Sequence, residues 1–187
     1  MAPKNKFTRE EMTEAALQVV RAKGIGGLTA KTLADELGTS TQPVFTAFGS
    51  MDGVRAAVYA AAIGIYDRYT NAGLQERIPF LGVGKQYIRF AREEPELYRL
   101  LFLTKTSEYS AMQSMQHLQA LVRPTLTRLY RMTAGEADVY FRDLWRVVHS
   151  LPTLIVTIAS FPTVAVQTSS ALQVTSAGAS VAYYARL

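Results

Sequence analysis

The sequence predicts an all-α chain: a three-helix unit of helix-turn-helix form at the N-terminus, followed by a larger helical part. Three observations predict it. From Met12 onward, apolar residues recur three and four positions apart, the period of one helix face. Cap-forming residues, Gly and Pro punctuate these runs at helical lengths. Asn-Gly hairpin signals and sustained period-two alternation are absent, so strands have no support.

The elements follow in order. Thr8-Arg9-Glu10-Glu11 has capping-box form, and Met12, Ala15, Ala16 and Val19 give the next helix its apolar face. Gly24 stops that helix, and Gly24-Ile25-Gly26-Gly27 is a loop. Thr29 caps a second helix, with Leu33, Ala34 and Leu37 inward, that ends at Gly38. A short third helix covers Thr41–Phe48. Gly49-Ser50 breaks it, and Ser50 with Asp52 opens a longer helix over Met51–Asn71. Gly73–Gly84 reads as a loop, Lys85–Glu94 as a helix cut by Pro95, and Glu96–Leu103 as a short helix. Ser110–Met132 is a long helix that Pro124 should bend. Thr133-Ala134-Gly135-Glu136 is another capping box, opening a helix with Val139, Tyr140, Leu144, Trp145 and Val148 on one face, which Pro152 bends or ends. A final helix covers Pro162–Tyr184.

Composition narrows the functional classes. With 49% hydrophobic and 19% charged residues in 187, the chain can bury a core and is not disordered. The net charge of +5 fits an anionic partner. Residues 1–58, however, hold seven Lys/Arg against six acids, so the excess lies mostly in the second part. The absence of cysteine removes disulfide scaffolds, thiolate metal sites and cysteine nucleophiles. His117 and His149 stand far apart without Cys partners, which argues against zinc. The polar start, Met1-Ala2-Pro3-Lys4-Asn5-Lys6, lacks the apolar stretch of a signal peptide, so a cytoplasmic location is expected. Val147–Ala185 carries no Asp, Glu, Lys or Arg. Because Pro152, Pro162 and several Thr and Ser interrupt it, a buried subunit-interface helix is expected there rather than a membrane span.

Residues 29–48 carry the functional signal. Two helices crossing steeply need a small residue at the crossing, which Ala34 supplies, and a left-handed turn, which Gly38 supplies. Leu33, Leu37, Val44 and Phe48 close a small core. By residue chemistry alone, an ordinary helical hairpin also fits. The run from Leu33 through Val54 resembles the signature of the TetR family of repressors, in which an aromatic-x-x-Phe step in the recognition helix leads into a Gly/Ser cap and the next helix. Phe45 and Phe48 stand at the aromatic positions, and Leu28-Thr29 fits the lead into helix two. The resemblance implies a DNA-binding domain over 1–50 and a helical effector-binding and dimerisation domain over 51–187, hence a homodimer on a double-stranded operator.

Departures from that pattern matter. Phe45 stands where the family usually has Tyr, Ala47 where His is frequent, and Met51 where Lys is frequent; Thr41–Phe48 holds no cation. Phosphate contacts supply most salt-dependent affinity, so a modest salt slope is expected. The DNA-contact candidates are Thr29, Lys31 and Thr32, with Thr41, Gln42, Pro43, Phe45 and Thr46. Gln42 leads for base readout, since its amide donates and accepts together at adenine. Pro43 suits either a thymine methyl or simply a helix's first turn, and Thr29 either a phosphate or only a cap. Lys4, Lys6 and Arg9 read as a backbone-tracking arm or as a solvated tail.

In the second part, Phe90–Phe102 resembles the "helix, Pro, Leu-Tyr" stretch of one regulatory-domain subgroup. Leu144–Ser150 resembles that subgroup's Trp-x-x-x-His-Gly motif, with Ser150 in place of Gly. Effector-site candidates are Tyr87, Phe90, Phe102, Met112, Met115, Phe141, Trp145 and His149; aromatic rings and adaptable Met side chains line apolar pockets, and they equally build ordinary core. The expected switch is an effector displacing Pro95–Phe102, which pushes the Met51–Asn71 helix. Small residues through Ala171–Ala182 suit a helix pair closely packed against a partner's. No enzyme motif, catalytic residue or cofactor site is expected: neighbouring His149 and Ser150 cannot face each other on a helix. The alternative is a small-molecule-binding dimer of this fold with weak or lost DNA binding.

Overall fold

The computed structural model describes residues 7–104 and 111–158, and every regular element among them is helical. Helix α1 (Arg9–Lys23) begins in the expected capping box: the Glu11 amide donates to Thr8 Oγ1 at 3.1 Å and the Thr8 amide to Glu11 Oε2 at 2.7 Å. A 3₁₀ turn (Ile25–Gly27) leads to α2 (Ala30–Leu37), whose cap is closed by two threonines, Thr29 and Thr32, each accepting from the other's amide. Gly38 ends α2 in the left-handed region (φ 62°, ψ 40°), where a side chain would be strained. α3 (Gln42–Phe48) then crosses over α2 with Val44 and Phe48 buried beside Met12, Val20 and Leu33.

α4 (Met51–Leu74) starts in this small core and runs on into the second part, burying Val54, Val58, Ala62, Ile65 and Tyr66 in turn. It extends past the expected end at Asn71, and α5 (Pro79–Glu93) begins six residues before the expected Lys85. The Gly73–Gly84 loop is therefore mostly helix. Pro79 occupies the first turn, where its fixed φ favours a helix and its missing N–H is not needed. The glycines mark a crossing. A Cβ on Gly73 would lie 2.5 Å from the Val83 nitrogen, and one on Gly82 2.2 Å from the Gly73 carbonyl oxygen. Only bare backbone lets α4 and α5 approach this closely.

Pro95 ends α5 as expected and opens α6 (Pro95–Tyr98), which widens into a π-helical stretch, Arg99–Leu103, with Thr104 donating to the Arg99 carbonyl at 2.9 Å. α7 (Ala111–Leu129) accommodates Pro124 internally. The third capping box, Thr133 with Glu136, opens α8 (Ala134–Val148). The break after α8 comes at His149, ahead of the expected Pro152. That proline instead sits in the first turn of α9 (Ser150–Ile158), where it needs no donor. The Pro162–Tyr184 helix lies outside the described residues. One continuous apolar core joins Met12 at one end to Val156 at the other. Among the described residues, no helix is long and apolar enough to cross a membrane.

The glycine crossing gives a direct test. Gly82→Ala should cost about 1–3 kcal/mol in denaturant unfolding, because the added methyl must displace backbone. Gly84→Ala, whose Cβ meets nothing within 4 Å, should be neutral or stabilise by up to ~1 kcal/mol.

Candidate functional site

Two sets of residues stand out, one on the N-terminal unit and one in the second part. On α3, burying Val44 and Phe48 turns the opposite side outward: Thr41, Gln42, Phe45 and Thr46 are exposed, Pro43 half so. Phe45 keeps 43% of its surface in water, unusual for a ring on a seven-residue helix with a core beneath it. Thr46 Oγ1 donates back to the Gln42 carbonyl at 2.9 Å, so its hydroxyl proton is engaged by its own helix. Lys31 is exposed in the first turn of α2, while the Thr29 and Thr32 hydroxyls serve the cap, Thr32 also donating to the Gly27 carbonyl at 2.8 Å. Arg9 lies over the Phe48 ring, 4.8 Å from its centre, so it braces the unit's own core. Lys4 and Lys6 lie outside the described residues.

In the second part, α4, α5, the α6–π stretch and α8 bring their rings together. Tyr87 is the hub, with ring centres of Trp145 at 5.1 Å, Phe102 at 5.3 Å, Tyr98 at 5.6 Å and Tyr66 at 6.0 Å. Trp145 stacks on His149 at 4.9 Å and on Phe141 at 5.8 Å. Six of the eight sequence candidates, Tyr87, Phe90, Phe102, Phe141, Trp145 and His149, thus form one cluster. Met115 packs half-buried against the core. Met112 does not join: it is 57% exposed on α7, because Ser114 and Leu118 hold that helix's inward positions.

Tyr66, Tyr98 and Thr153 complete the cluster and were missed. Tyr98 is the Tyr of the Leu97-Tyr98 step, and Tyr66 continues the inward face of α4 one turn after Ala62. Tyr87 Oη lies 2.5 Å from His149 Nδ1 and 3.1 Å from Tyr98 Oη, and Tyr98 Oη lies 2.9 Å from Thr153 Oγ1. Burial holds the His149 ring below its ordinary range, so it is neutral near pH 7. A neutral ring accepting the Tyr87 proton at Nδ1 carries its own proton on Nε2. Burial likewise pushes the Tyr66, Tyr87 and Tyr98 phenols up. The cluster is uncharged at its centre. Among the described residues, no group of His, Asp and Glu is placed to hold a metal ion.

A third feature ties the two parts. Arg21, in the last turn of α1, grips Glu94 with two of its three guanidinium nitrogens: Nε to Oε2 and Nη2 to Oε1, each 2.8 Å. The pair is half-buried, and the Glu94 carboxylate pushes the guanidinium up, partly offset by its burial. Two residues on, Glu96 pairs with Arg99, which also donates to the Val156 carbonyl of α9 at 2.5 Å. The outer face of α8 and α9 is apolar and exposed, with Val139, Tyr140, Val147, Leu151, Leu154 and Ile155 all open to solvent.

The family model described as "Tetracyclin repressor-like, C-terminal domain" matches residues 80–176, more than half of the chain. No curated protein matches the chain.

The geometry makes two predictions. A His whose folded pKa is lowered binds fewer protons folded than unfolded. Its contribution is therefore intact above the ordinary pKa near 6.5 and is lost as pH falls through that value toward the folded one. Thermal unfolding should show Tm steady above pH 7 and falling toward pH 5.5, and His149→Asn, which keeps an acceptor near Nδ1, should flatten that fall. A double-mutant cycle with Arg21→Met and Glu94→Gln should return a coupling of about 1–2 kcal/mol in denaturant unfolding, above the ~0–1 of an exposed pair.

Proposed function

Because the chain belongs to the tetracycline repressor-like family, matched through its C-terminal domain over residues 80–176, we propose that it is a ligand-responsive repressor that binds a palindromic operator as a homodimer in the cytoplasm and is released by a small apolar or amphipathic effector. Residues 1–50 form the DNA-binding domain and 51–187 the effector-binding and dimerisation domain. The observation that carries the reading is the outward row Gln42, Phe45 and Thr46 above buried Val44 and Phe48. A helix so presented enters the major groove, with Gln42 addressing a base edge and Phe45 and the Thr46 methyl offering apolar contact to thymine. Lys31 supplies a phosphate contact from α2.

The dimer reading rests on the exposed apolar residues of α8 and α9, a large patch of the kind that partner chains cover. The effector reading rests on the ring cluster around Tyr87. Its rings Tyr98 and Phe102 belong to the segment that Glu94 ties to α1 through Arg21, so a displaced ring pulls on the DNA-binding domain. The effector must prefer the displaced state for this to act as a switch. A second reading, a dimer of this fold that binds DNA weakly, is favoured by one observation, the absence of any cation on Thr41–Phe48.

Selecting bound fragments from genomic DNA with the purified protein tests both. A symmetrical site with half-sites about 34 Å apart is expected; no retained fragment even at low salt would favour the second reading, and an unsymmetrical site would count against the dimer. On the selected site, Gln42→Ala should lower discrimination at one base pair by roughly 10- to 100-fold, and Lys31→Ala should weaken all sequences alike. The reverse pattern would exchange their roles.

A further inference from the structure

The cluster's polar groups are unevenly satisfied. Tyr87, Tyr98, His149 and Thr153 bond one another, but Tyr66 Oη and Thr70 Oγ1 are buried with no polar group other than each other to turn to among the described residues. The two stand one turn apart on α4, where side chains four positions apart are neighbours. Tyr66 is 1% exposed, and Thr70 is also 1% exposed. Leaving buried hydroxyls unmatched costs about 1–3 kcal/mol each, so an arrangement of this kind calls for something that supplies their partner.

The chemistry of that partner is constrained from three sides. Two hydroxyls that can turn only to each other leave at least one O–H without an acceptor, which calls for an acceptor atom that a hydrocarbon or a quaternary ammonium does not carry. The rings around Tyr66 are Tyr87, Phe90 and Phe102, so the rest of the ligand meets apolar faces. Among the described residues, no hydrogen-bond or ring contact to these residues comes from a Lys or Arg, and the carboxylates nearby are taken, Glu93 by Tyr69 and Arg89 and Asp67 by His117. A carboxylate or phosphate ligand would therefore be buried without a counter-ion, at a cost of several kcal/mol. The geometry points to a neutral ligand carrying a carbonyl or hydroxyl oxygen on a compact apolar body, with that oxygen bound by Tyr66 and Thr70. This rests on the ring cluster being the effector site.

The chain's single tryptophan, Trp145, stacks within the cluster and reports on it. Four probes of one size separate the chemistries: cyclohexanone, cyclohexanecarboxylate, cyclohexyltrimethylammonium and methylcyclohexane, titrated into the full chain with Trp145 emission referenced to free tryptophan amide. Cyclohexanone should give a saturable change that Tyr66→Phe and Thr70→Val each weaken by about 3- to 10-fold, while the other three bind at least tenfold more weakly than the ketone. Without ligand, Tyr66→Phe should leave Tm unchanged or raise it, whereas Tyr87→Phe, which loses a satisfied bond, should lower it. A charged probe binding as well as the ketone, or a ketone affinity untouched by both substitutions, would overturn the proposed ligand class while leaving the cluster as a site. A Tm loss in Tyr66→Phe equal to that in Tyr87→Phe would show the hydroxyl already satisfied, with the same consequence. No saturable response to any probe would overturn the site reading as well.

Discussion

The contact between the α4 and α5 backbones at Gly73 and Gly82 governs the second part of the molecule. Two helices joined by a short turn diverge from wherever their axes come closest, and here that point is near the turn itself. Tyr66 lies seven residues from Gly73 on α4, about 10 Å along the axis, and Tyr87 and Phe90 lie five and eight residues from Gly82 on α5. The rings therefore meet where the helices have opened enough to need them. Methyl groups at the crossing would lift α5 away from α4, and Tyr66 would lose its ring contacts with Tyr87 and Phe90. The cluster exists at its present spacing because two side chains are missing elsewhere.

The same helix pair explains how the two parts are joined. α4 belongs to both: Val54 and Val58 pack under the N-terminal unit, and Tyr66 packs under the rings. α5 ends at Glu94 because Pro95 cannot continue it, and the carboxylate freed at that corner is the one Arg21 grips. The chain break and the inter-part clamp are one feature. The π-helical turn that follows holds one extra residue per hydrogen-bonded ring, a form that often marks functional segments. It sets Leu100, Leu101 and Phe102 all inward, a density of buried side chains that an α-helical turn of the same length presents less readily.

How much of this was legible in the sequence varies with the range of the forces involved. Capping boxes at Thr8 and Thr133, the Thr29 cap and the left-handed Gly38 are decided within four residues, and the chain states them locally. The inward positions of α3 follow from spacing once those caps are set. The glycines between 73 and 84 misled because glycine has two uses, loop freedom and close helix approach, and only a partner helix decides between them. Pro152 misled similarly: a proline forbids helix behind it and favours helix ahead of it, and the break fell one turn earlier than its position suggests. In the ring cluster, Tyr87, Phe90, Phe102, Phe141, Trp145 and His149 are legible by residue type, whereas Tyr66 on α4 and Tyr98 in the Leu97-Tyr98 step join it only through packing between distant helices. Met112 was the opposite error, an apolar residue assigned inward by type when the helix phase set by Ser114 and Leu118 turns it out.

The distribution of polar satisfaction within the cluster bears on whether it is core or switch. A core built only for stability gains nothing from unmatched buried hydroxyls, since phenylalanine fills the same space without needing a partner. Here four polar groups at one end close on each other through His149 and Thr153, fixing α5, α6, α8 and α9 together. The two at the other end, both on α4, are left over. The helix with the unmet demand is thus the one shared with the N-terminal unit, and the helices with the satisfied network carry the apolar outer face of α8 and α9. A ligand meeting that demand would bind α4 to the satisfied end and stiffen the link between them. In the closed cluster, by contrast, α4 meets that end through ring edges and the Tyr69 hydrogen bond to Glu93. Under the proposed reading the free energy of effector binding enters through α4's own hydroxyls, on the element that supports the reading helix, and the Arg21–Glu94 clamp sets how far α1 must follow.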